Sequence, residues 1–366
     1  MVLFIPYLLA STNGKDIILP TLKGAGMISE AKTQITFLGD GSWGTTLAVY
    51  LAKKGYSITL WGAFPQNITA MERDRENKKF LPGIRFPKNL NVTGDMASAV
   101  SAAQIIVFST PSKYLESVLK DLKALKTKSA LTLKDKTFLS IVKGIENKRL
   151  RRMSELIHAY LGNMALAVLS GPTIATEVAH GIPSSAVIAS KKLAAAKKLQ
   201  AIFHSEKFRI YTNSDVTGVE LGGSIKNVIA IACGLCDGLG FGTNTKSALL
   251  ARGLAEMSRL GVAMGAKHKT FAGLTGLGDL VTTCFSPQSR NRYVGEQLGK
   301  GRAIRAILSD MVMVAEGVES AKAIHQLAKK YRIDVPIANE VFHIIYRGKR
   351  PQKAVEDLMT RSRKSE

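Results

Sequence analysis

A single lysine lies inside a long apolar stretch of the sequence. Lys226 falls between Glu220 and Asp237, in a run whose other side chains have the spacing of a core helix. Burial lowers the pKa of a lysine because the ammonium group loses hydration, and a partly neutral amine can accept or donate a proton. This pattern indicates a general acid–base residue, although a lysine can also extend its amine from such a helix to the surface. Gly222 and Gly223 would let another segment or a ligand approach closely.

A glycine-rich loop follows the first apolar strand. The sequence predicts a strand over Gln34–Leu38, then GxGxxG spacing in Gly39, Gly41 and Gly44, a helix, and a second strand over Ser57–Trp61. Gly39 permits the turn, Gly41 would let a pyrophosphate approach the backbone, and Gly44 lets the helix pack on the sheet. The helix N-terminus favours the phosphate charge. This context predicts dinucleotide binding.

The second strand of this unit lacks the carboxylate that usually receives the adenosine ribose. The strand ends at Trp61, and the next acidic residue is Glu72. Since no negative charge there would repel a 2′-phosphate, we expect the protein to accept NADP as well as NAD.

Short apolar runs alternate with helical segments up to about residue 215. Further strands are predicted at residues 105–109, 138–142, 165–169, 186–189 and 208–211. Later helices are predicted at residues 246–265, 317–331, 337–347 and 351–361. The predicted fold is α/β, an N-terminal Rossmann-type doubly wound sheet followed by an all-α C-terminal domain. We expect an N-terminal extension over residues 1–30, a dinucleotide-binding domain over 31–218 and a helical substrate and catalytic domain over 219–366.

Polar residues follow the predicted strands at the edge of the sheet where ligands of such folds bind. Lys143 directly follows the strand at residues 138–142 and is placed to meet an anion, although a solvated loop lysine would give the same pattern. A second donor-rich run, suited to a phosphate group, consists of Ser289, Arg290 and Asn291.

The charge of the chain favours anionic partners, whether phosphorylated metabolites, nucleic acid or an acidic membrane surface. The 366 residues carry 51 basic and 28 acidic side chains, a formal net charge of +23. The basic residues are dispersed and little interleaved with aromatic ones, which favours a generally basic surface over a nucleic-acid groove. We therefore expect a small phosphorylated substrate and no nucleic acid.

Cysteine and apolar content indicate the compartment. The low number of cysteines, three in 366 residues, argues for a reducing compartment such as the cytoplasm. Cys233 and Cys236 are interpreted as core residues rather than as metal ligands or a redox pair. No metal is therefore expected. Residues 1–10 are apolar, but this stretch is too short to span a bilayer. No later stretch that is long enough to span one is free of charged residues. We expect no stable membrane insertion.

Taken together, these motifs resemble the NAD(P)-dependent glycerol-3-phosphate dehydrogenases, most closely the bacterial type. The resemblance covers residues 33–362. It rests on the loop at 39–45, on Lys143 and Gly144, on residues 170–173, 221–223 and 226–228, on residues 276–280 and on residues 289–291.

The resemblance implies hydride transfer between NAD(P)H and dihydroxyacetone phosphate to give sn-glycerol 3-phosphate, which feeds glycerophospholipid synthesis. It implies a cytoplasmic enzyme, expected to be a homodimer, with Lys226 as proton acceptor. The implied substrate-binding residues are Lys143, Gly171, Thr173, Lys226, Asp279, Ser289, Arg290 and Asn291. The implied cofactor-binding residues are Gly39, Gly41, Ser42, Trp43, Gly44, Lys143, Ala175, Arg290 and Glu316.

One residue departs from the family pattern. Asp40 stands in the glycine loop where a small apolar residue is usual, so its carboxylate must point away from the pyrophosphate or weaken binding.

Two other functions fit part of the sequence. A 3-hydroxyacid or 6-phosphogluconate-type dehydrogenase also combines a dinucleotide domain with a helical domain that carries a catalytic lysine. A non-catalytic dinucleotide sensor or nucleic-acid-binding protein would use the positive charge but has no need for Lys226 in an apolar helix.

Overall fold

The computed structural model describes residues 33–128, 131–363 and 365. The described residues form one eight-stranded sheet with the strand order β3-β2-β1-β4-β5-β6-β7-β8. The strands are β1 (Gln34–Leu38), β2 (Ser57–Trp61), β3 (Leu90–Thr93), β4 (Ile105–Phe108), β5 (Thr137–Ser140), β6 (Ala165–Ser170), β7 (Ser184–Ala189) and β8 (Phe208–Asn213). The predicted extension over residues 1–30 lies outside the described residues.

Helices flank the sheet and form a separate layer after it. Those among the strands are α1 (Ser42–Lys53), α2 (Pro65–Asp74), α3 (Met96–Ser101), α4 (Ser112–Lys128), α5 (Met153–Leu161), α6 (Ala175–Ala179) and α7 (Leu193–Phe203). The later ones are α8 (Val216–Gly238), α9 (Thr243–Ala263), α10 (His268–Phe271), α11 (Asp279–Phe285), α12 (Arg290–Gly299), α13 (Ile304–Ser309), α14 (Glu316–Tyr331), α15 (Pro336–Arg347) and α16 (Pro351–Met359). A π-helical turn, Leu274–Gly278, precedes α11.

The sheet is the core of the N-terminal part. All residues of β4 and β5 are buried, as expected for strands covered by helices on both faces. β1 pairs in parallel with β2 and β4, which gives the doubly wound arrangement. The predicted combination of a Rossmann-type sheet with an all-α C-terminal part is confirmed.

Two features of the sheet differ from the sequence expectation. The strand β3 was not predicted. Its four residues alternate Leu and Val with Asn and Thr, as a half-buried strand does, but the run is very short and has only two apolar residues. β7 pairs antiparallel with β6, while β8 is parallel to β7, so the last two strands run against the others. Apolar periodicity identifies a strand but does not give its direction.

The long helix α8 organises the C-terminal layer. Its N-cap Asp215 accepts a hydrogen bond from Gly218 N at 2.9 Å, and the helix continues without a break across residues 218 and 219. A β-carbon on Gly234 would lie 1.9 Å from Arg292 O, so α8 and α12 pack backbone to backbone. Cys233, which is completely buried, is part of this core, as predicted.

α8 has the length and apolarity of a membrane-spanning helix. Its most apolar 18-residue window is 100% buried inside the protein, however, which is the environment of a core helix. Other helices cover it on several sides, among them α9, α11, α12 and α14. The apolarity of α8 is therefore explained by its central place in the C-terminal layer.

Candidate active site

The amine of Lys226 lies inside the protein, against one face of a neighbouring helix. Lys226, on α8, is 6% exposed. Its Nζ donates to Asp279 Oδ1 at 2.5 Å and to Thr283 Oγ1 at 2.6 Å. Asp279 and Thr283 are one turn apart on α11, so a single helix face holds the amine. The amine is thus fixed in the interior and does not extend to the surface.

A second lysine reaches the same carboxylate from the sheet. Lys143, in the segment after β5, donates from Nζ to Asp279 Oδ2 at 2.8 Å and to Gly171 O at 3.3 Å. Gly171, just after β6, has φ +149° and needs its missing side chain, because a β-carbon would lie 2.9 Å from Ala186 Cα. Thr173 Oγ1 also donates to Gly171 O, at 3.2 Å. Asp279 therefore joins the sheet edge to the helical layer.

The surroundings of Lys226 lower the pKa of its amine to about 7. Burial is the largest cause, and the positive charge of Lys143 acts in the same direction, whereas Asp279 opposes both. Near neutral pH the amine is present in both its charged and its neutral form. This is the property that a group transferring protons in both directions requires.

Gly222 and Gly223 let other chain segments approach α8. A β-carbon on Gly222 would lie 2.3 Å from Thr275 O, and one on Gly223 would lie 2.5 Å from Ser170 Oγ. Both glycines thus accommodate the protein's own π-helical turn and β6, which brings these elements next to the lysine pair.

The residues of the predicted phosphate site begin helix α12. Ser289 is the N-cap, and its Oγ accepts a hydrogen bond from Arg292 N at 3.2 Å. Arg290 is exposed, and its Nη1 donates to Val314 O at 2.9 Å. This bond uses one of the five N–H groups of the guanidinium, so most of its donors stay available to an anion.

Asn291 connects the start of α12 to α8, the helix that carries Lys226. Its Nδ2 donates to Asn227 Oδ1 at 2.9 Å, and its Oδ1 accepts from Gly317 N at 2.9 Å. Asn227 directly follows Lys226, so α8, α12 and α14 meet beside the amine. The predicted substrate residues are therefore placed around one region of the structure.

The glycine loop has the shape that a dinucleotide pyrophosphate needs. A β-carbon on Gly39, where φ is +128°, would lie 2.6 Å from Thr110 N, and one on Gly44 would lie 2.7 Å from Gly39 O. At Gly41, in contrast, the nearest atom to a β-carbon is Ser109 O at 3.9 Å. The first and third glycines are thus packed against protein, while the second faces space. Together with the start of α1 at Ser42, this arrangement fits the cofactor.

The other predicted cofactor residues lie around this loop. Trp43 packs edge-on against Phe208, with ring centroids 6.3 Å apart. Ala175 begins α6, and its carbonyl accepts a hydrogen bond from Thr46 Oγ1 of α1 at 3.2 Å. These contacts bring Ala175 to the helix that starts in the glycine loop.

Glu316 ties the helical layer to the sheet. Its Oε1 accepts a hydrogen bond from Ser112 N at 2.9 Å, and Ser112 Oγ donates to its other oxygen. Glu316 also lies close enough to Arg290 for their charges to interact. Both Lys143 and Glu316 therefore lie where the two layers meet.

Thr283 is a site residue that the sequence analysis missed. Its contact with Lys226 follows from a position four residues after Asp279 on the same helix, which places both side chains on one face. Once Asp279 is considered as a site residue, that spacing is the signal that points to Thr283.

Comparison with known families agrees with this geometry. Residues 34–196 match the model of the NAD-dependent glycerol-3-phosphate dehydrogenase N-terminus, and residues 215–356 match that of the C-terminus. The chain belongs to this family. The NAD(P)-dependent dehydrogenase class that the motifs indicated is thereby confirmed.

Individual relatives are similar over nearly their whole length. A glycerol-3-phosphate dehydrogenase [NAD(P)+] of Prosthecochloris aestuarii is 46% identical over 335 residues, which cover 91% of this chain and 99% of the relative. The crystal structure of glycerol-3-phosphate dehydrogenase from Coxiella burnetii is similar with a TM-score of 0.86 and 37% identity, covering 90% of this chain and 99% of that one. The yeast enzyme GPD1 is similar with a TM-score of 0.75 and 28% identity, covering 90% and 99%.

Proposed function

We propose that this protein interconverts dihydroxyacetone phosphate and sn-glycerol 3-phosphate with NAD(H) or NADP(H). The observation that carries the proposal is the buried amine of Lys226, whose pKa is about 7 and which Asp279 and Thr283 hold beside Lys143. Two cationic amines around one carboxylate suit a substrate that develops negative charge on an oxygen atom.

Lys226 is the proposed proton donor and acceptor. When bound, the nicotinamide ring supplies or accepts the hydride at C2 of the substrate. In reduction, the protonated amine of Lys226 gives a proton to the C2 oxygen, and in oxidation the neutral amine removes it. Asp279 and Thr283 fix the direction of the amine, and Lys143 offers a second positive charge to the oxygen.

The remaining substrate and cofactor assignments follow the positions described above. Arg290, with Ser289 and Asn291 at the start of α12, would bind the phosphate group. Gly171 and Thr173 would line the sheet side of the substrate. The proposed cofactor-binding residues are Gly39, Gly41, Ser42, Trp43, Gly44, Lys143, Ala175, Arg290 and Glu316.

We further propose that residues 31–218 bind the dinucleotide and that residues 219–366 carry the substrate site. We also propose that the protein is a cytoplasmic homodimer and that it supplies glycerol 3-phosphate for glycerophospholipids. Exposed apolar side chains at four-residue spacing, Leu277, Val281 and Phe285, support association of two copies. Light scattering after size-exclusion chromatography tests the dimer.

The decisive experiment is cofactor consumption with a panel of carbonyl substrates. Purified protein should oxidise NADH with dihydroxyacetone phosphate, and glycerol 3-phosphate should support the reverse reaction. Dihydroxyacetone without phosphate and 3-oxoacids serve as controls. Turnover of a 3-oxoacid in place of the phosphorylated ketone would contradict the proposed substrate and favour the hydroxyacid-dehydrogenase alternative.

A further inference from the structure

The side chain of Asp40, in the glycine loop, lies against the carboxyl end of β2. A β-carbon placed on Gly62, the residue after that strand, would lie 3.0 Å from both Cγ and Oδ2 of Asp40. Asp40 follows β1 and Gly62 follows β2, and because these two strands are paired, the loop after β1 brings the two residues into contact. The loop thus places a carboxylate at the end of β2, where the strand has no acidic residue of its own.

The backbone of Asp40 is held from two sides. Its carbonyl oxygen accepts a hydrogen bond from Asn77 Nδ2 at 2.7 Å and another from Thr45 Oγ1 at 3.1 Å. Asn77 is 2% exposed and Thr45 is completely buried, so these contacts belong to the protein interior. The position of the carboxylate therefore follows from a fixed backbone.

One oxygen of this carboxylate is left without a donor. Asp40 Oδ2 is buried and has no hydrogen-bond partner among the residues that the structure describes. Burial raises the pKa of Asp40, against opposing effects of its own backbone N–H, of Asn67 and of Lys79. The contact with Gly62 and the limited access of water therefore keep the charge of this carboxylate close to the strand end and weakly screened.

The end of the second strand is where this fold receives the adenosine ribose. An acidic residue there normally accepts a hydrogen bond from the ribose 2′-hydroxyl and excludes a 2′-phosphate. In this chain the residue at that place is Gly62, and the space beside it is occupied by the side chains of Ile68 and Asp40, whose nearest atoms would lie 2.8 and 3.0 Å from a β-carbon there. The space is taken from the opposite side by Asp40.

We propose that Asp40 is the specificity-determining residue for the adenosine ribose and makes the protein prefer NAD(H) to NADP(H). This inference rests on the proposed function, and it revises the expectation that nothing repels a 2′-phosphate. The carboxylate accepts a hydrogen bond from the 2′-hydroxyl of NADH and repels the 2′-phosphate of NADPH. NADPH remains a weaker cofactor.

Lys79 is a nearby cation that would attract the 2′-phosphate of NADPH and so oppose the repulsion by Asp40. Its amine lies 3.5 Å from Asn67 Oδ1 and 5.1 Å from the centre of the Phe80 ring. Because Lys79 is exposed, water and salt screen its attraction for a phosphate. The buried carboxylate of Asp40 is screened less.

The test is equilibrium binding of NADH and NADPH, measured by the fluorescence of the reduced nicotinamide without substrate. The wild-type protein should bind NADH at least about tenfold more tightly than NADPH, about 1.4 kcal/mol. Asp40→Asn keeps the size of the side chain and removes its charge, so it should bind NADPH about tenfold more tightly than the wild type and bind NADH no more tightly, because a neutral acceptor makes a weaker hydrogen bond to the 2′-hydroxyl. Glu72→Gln, an exposed carboxylate on α2, is the matched control and should leave the ratio of the two dissociation constants unchanged.

Each outcome has a defined meaning. Equal affinity of the wild-type protein for both cofactors, or an unchanged ratio in Asp40→Asn, would overturn the assignment of Asp40. If Asp40→Asn does not fold, as judged by its thermal unfolding, Asp40→Ala and the wild-type ratio decide the question. Failure of the wild-type protein to bind either nucleotide would instead contradict the proposed function.

Discussion

The glycine loop at residues 39–44 and the lysine centre, formed by Lys143, Lys226, Asp279 and Thr283, are built by different means. In the glycine loop, the backbone conformation and the absent side chains of Gly39 and Gly44 create the shape. In the lysine centre, side chains from separate parts of the chain determine the chemistry, since 136 positions separate Lys143 from Asp279 and 53 separate Lys226 from Asp279. The first region is a local structure, and the second exists only in the folded protein.

This difference predicts that changes in the two regions have different consequences. A substitution in the loop should act on binding and stability, because it disturbs the packing of the backbone. A substitution in the lysine centre should act on turnover and on its pH dependence, because it changes where protons reside.

The largest effect is expected for Lys226→Ala. Loss of the proton donor should lower kcat with dihydroxyacetone phosphate by about 10²–10⁴-fold, the usual contribution of general acid–base catalysis. The dissociation constant of NADH should stay the same, since the glycine loop is intact. Steady-state kinetics and fluorescence titration measure the two quantities, with Lys322→Ala, an exposed lysine on α14, as control. Near-normal turnover of Lys226→Ala would remove Lys226 from the mechanism.

The next effect is expected for Gly39→Ala, which should weaken NADH binding by about 10–100-fold and lower the unfolding temperature. A β-carbon at Gly39 would lie 2.6 Å from Thr110 N, and its φ of +128° is unfavourable for alanine. Such backbone strain typically costs about 1–3 kcal/mol. Gly55→Ala is the matched control, because Gly55 has φ +98° but no atom within 4 Å of its β-carbon position. If both variants bind NADH equally well, contact with Thr110 does not shape the loop.

The same difference explains what the sequence could predict. The glycine loop was predictable because its strand, three glycines and helix follow one another directly within residues 34–53, each with its own local signal. In β3 the apolar–polar alternation extends over only four residues, which is a weak signal. The antiparallel direction of β7 depends on the path of the chain, which periodicity does not record.

The lysine centre could be predicted only in part. Lys226 stood out as a charge in an apolar helix, but its partner Asp279 was indicated by family resemblance and not by spacing. Thr283 could then be inferred from its position one helix turn after Asp279. The contact of Asp40 with Gly62 required the folded chain, because the glycine motif does not give the direction of the Asp40 side chain.

A smaller effect is expected for Arg290→Lys, at the edge of the centre. Lysine keeps the charge but cannot reproduce the planar fork that binds a phosphate through two parallel hydrogen bonds. The KM for dihydroxyacetone phosphate should rise about tenfold, equivalent to about 1.4 kcal/mol, while kcat changes little. Initial rates over a range of substrate concentrations measure this, and Arg305→Lys, exposed on α13, is the control. An unchanged KM would place the phosphate elsewhere.

The smallest effect is a shift in pH dependence, and it follows from the sign of each charge around Lys226. With a pKa of about 7, the amine is mostly protonated below pH 7 and mostly neutral above it. Oxidation of glycerol 3-phosphate, which needs the neutral amine, should therefore rise as the pH increases through 7, and reduction of dihydroxyacetone phosphate should fall.

Lys143→Met removes a positive charge that lowers the pKa of Lys226, so the midpoint of both profiles should move to higher pH, by about one unit. Asp279→Asn removes the charge that raises this pKa, and its midpoint should move to lower pH. Profiles of kcat between pH 5 and 10 measure both shifts. Opposite shifts would show that the two side chains act through the amine, because loss of packing alone gives no reason for opposite directions. A midpoint that is the same in all three proteins would mean that the titrating group is not Lys226.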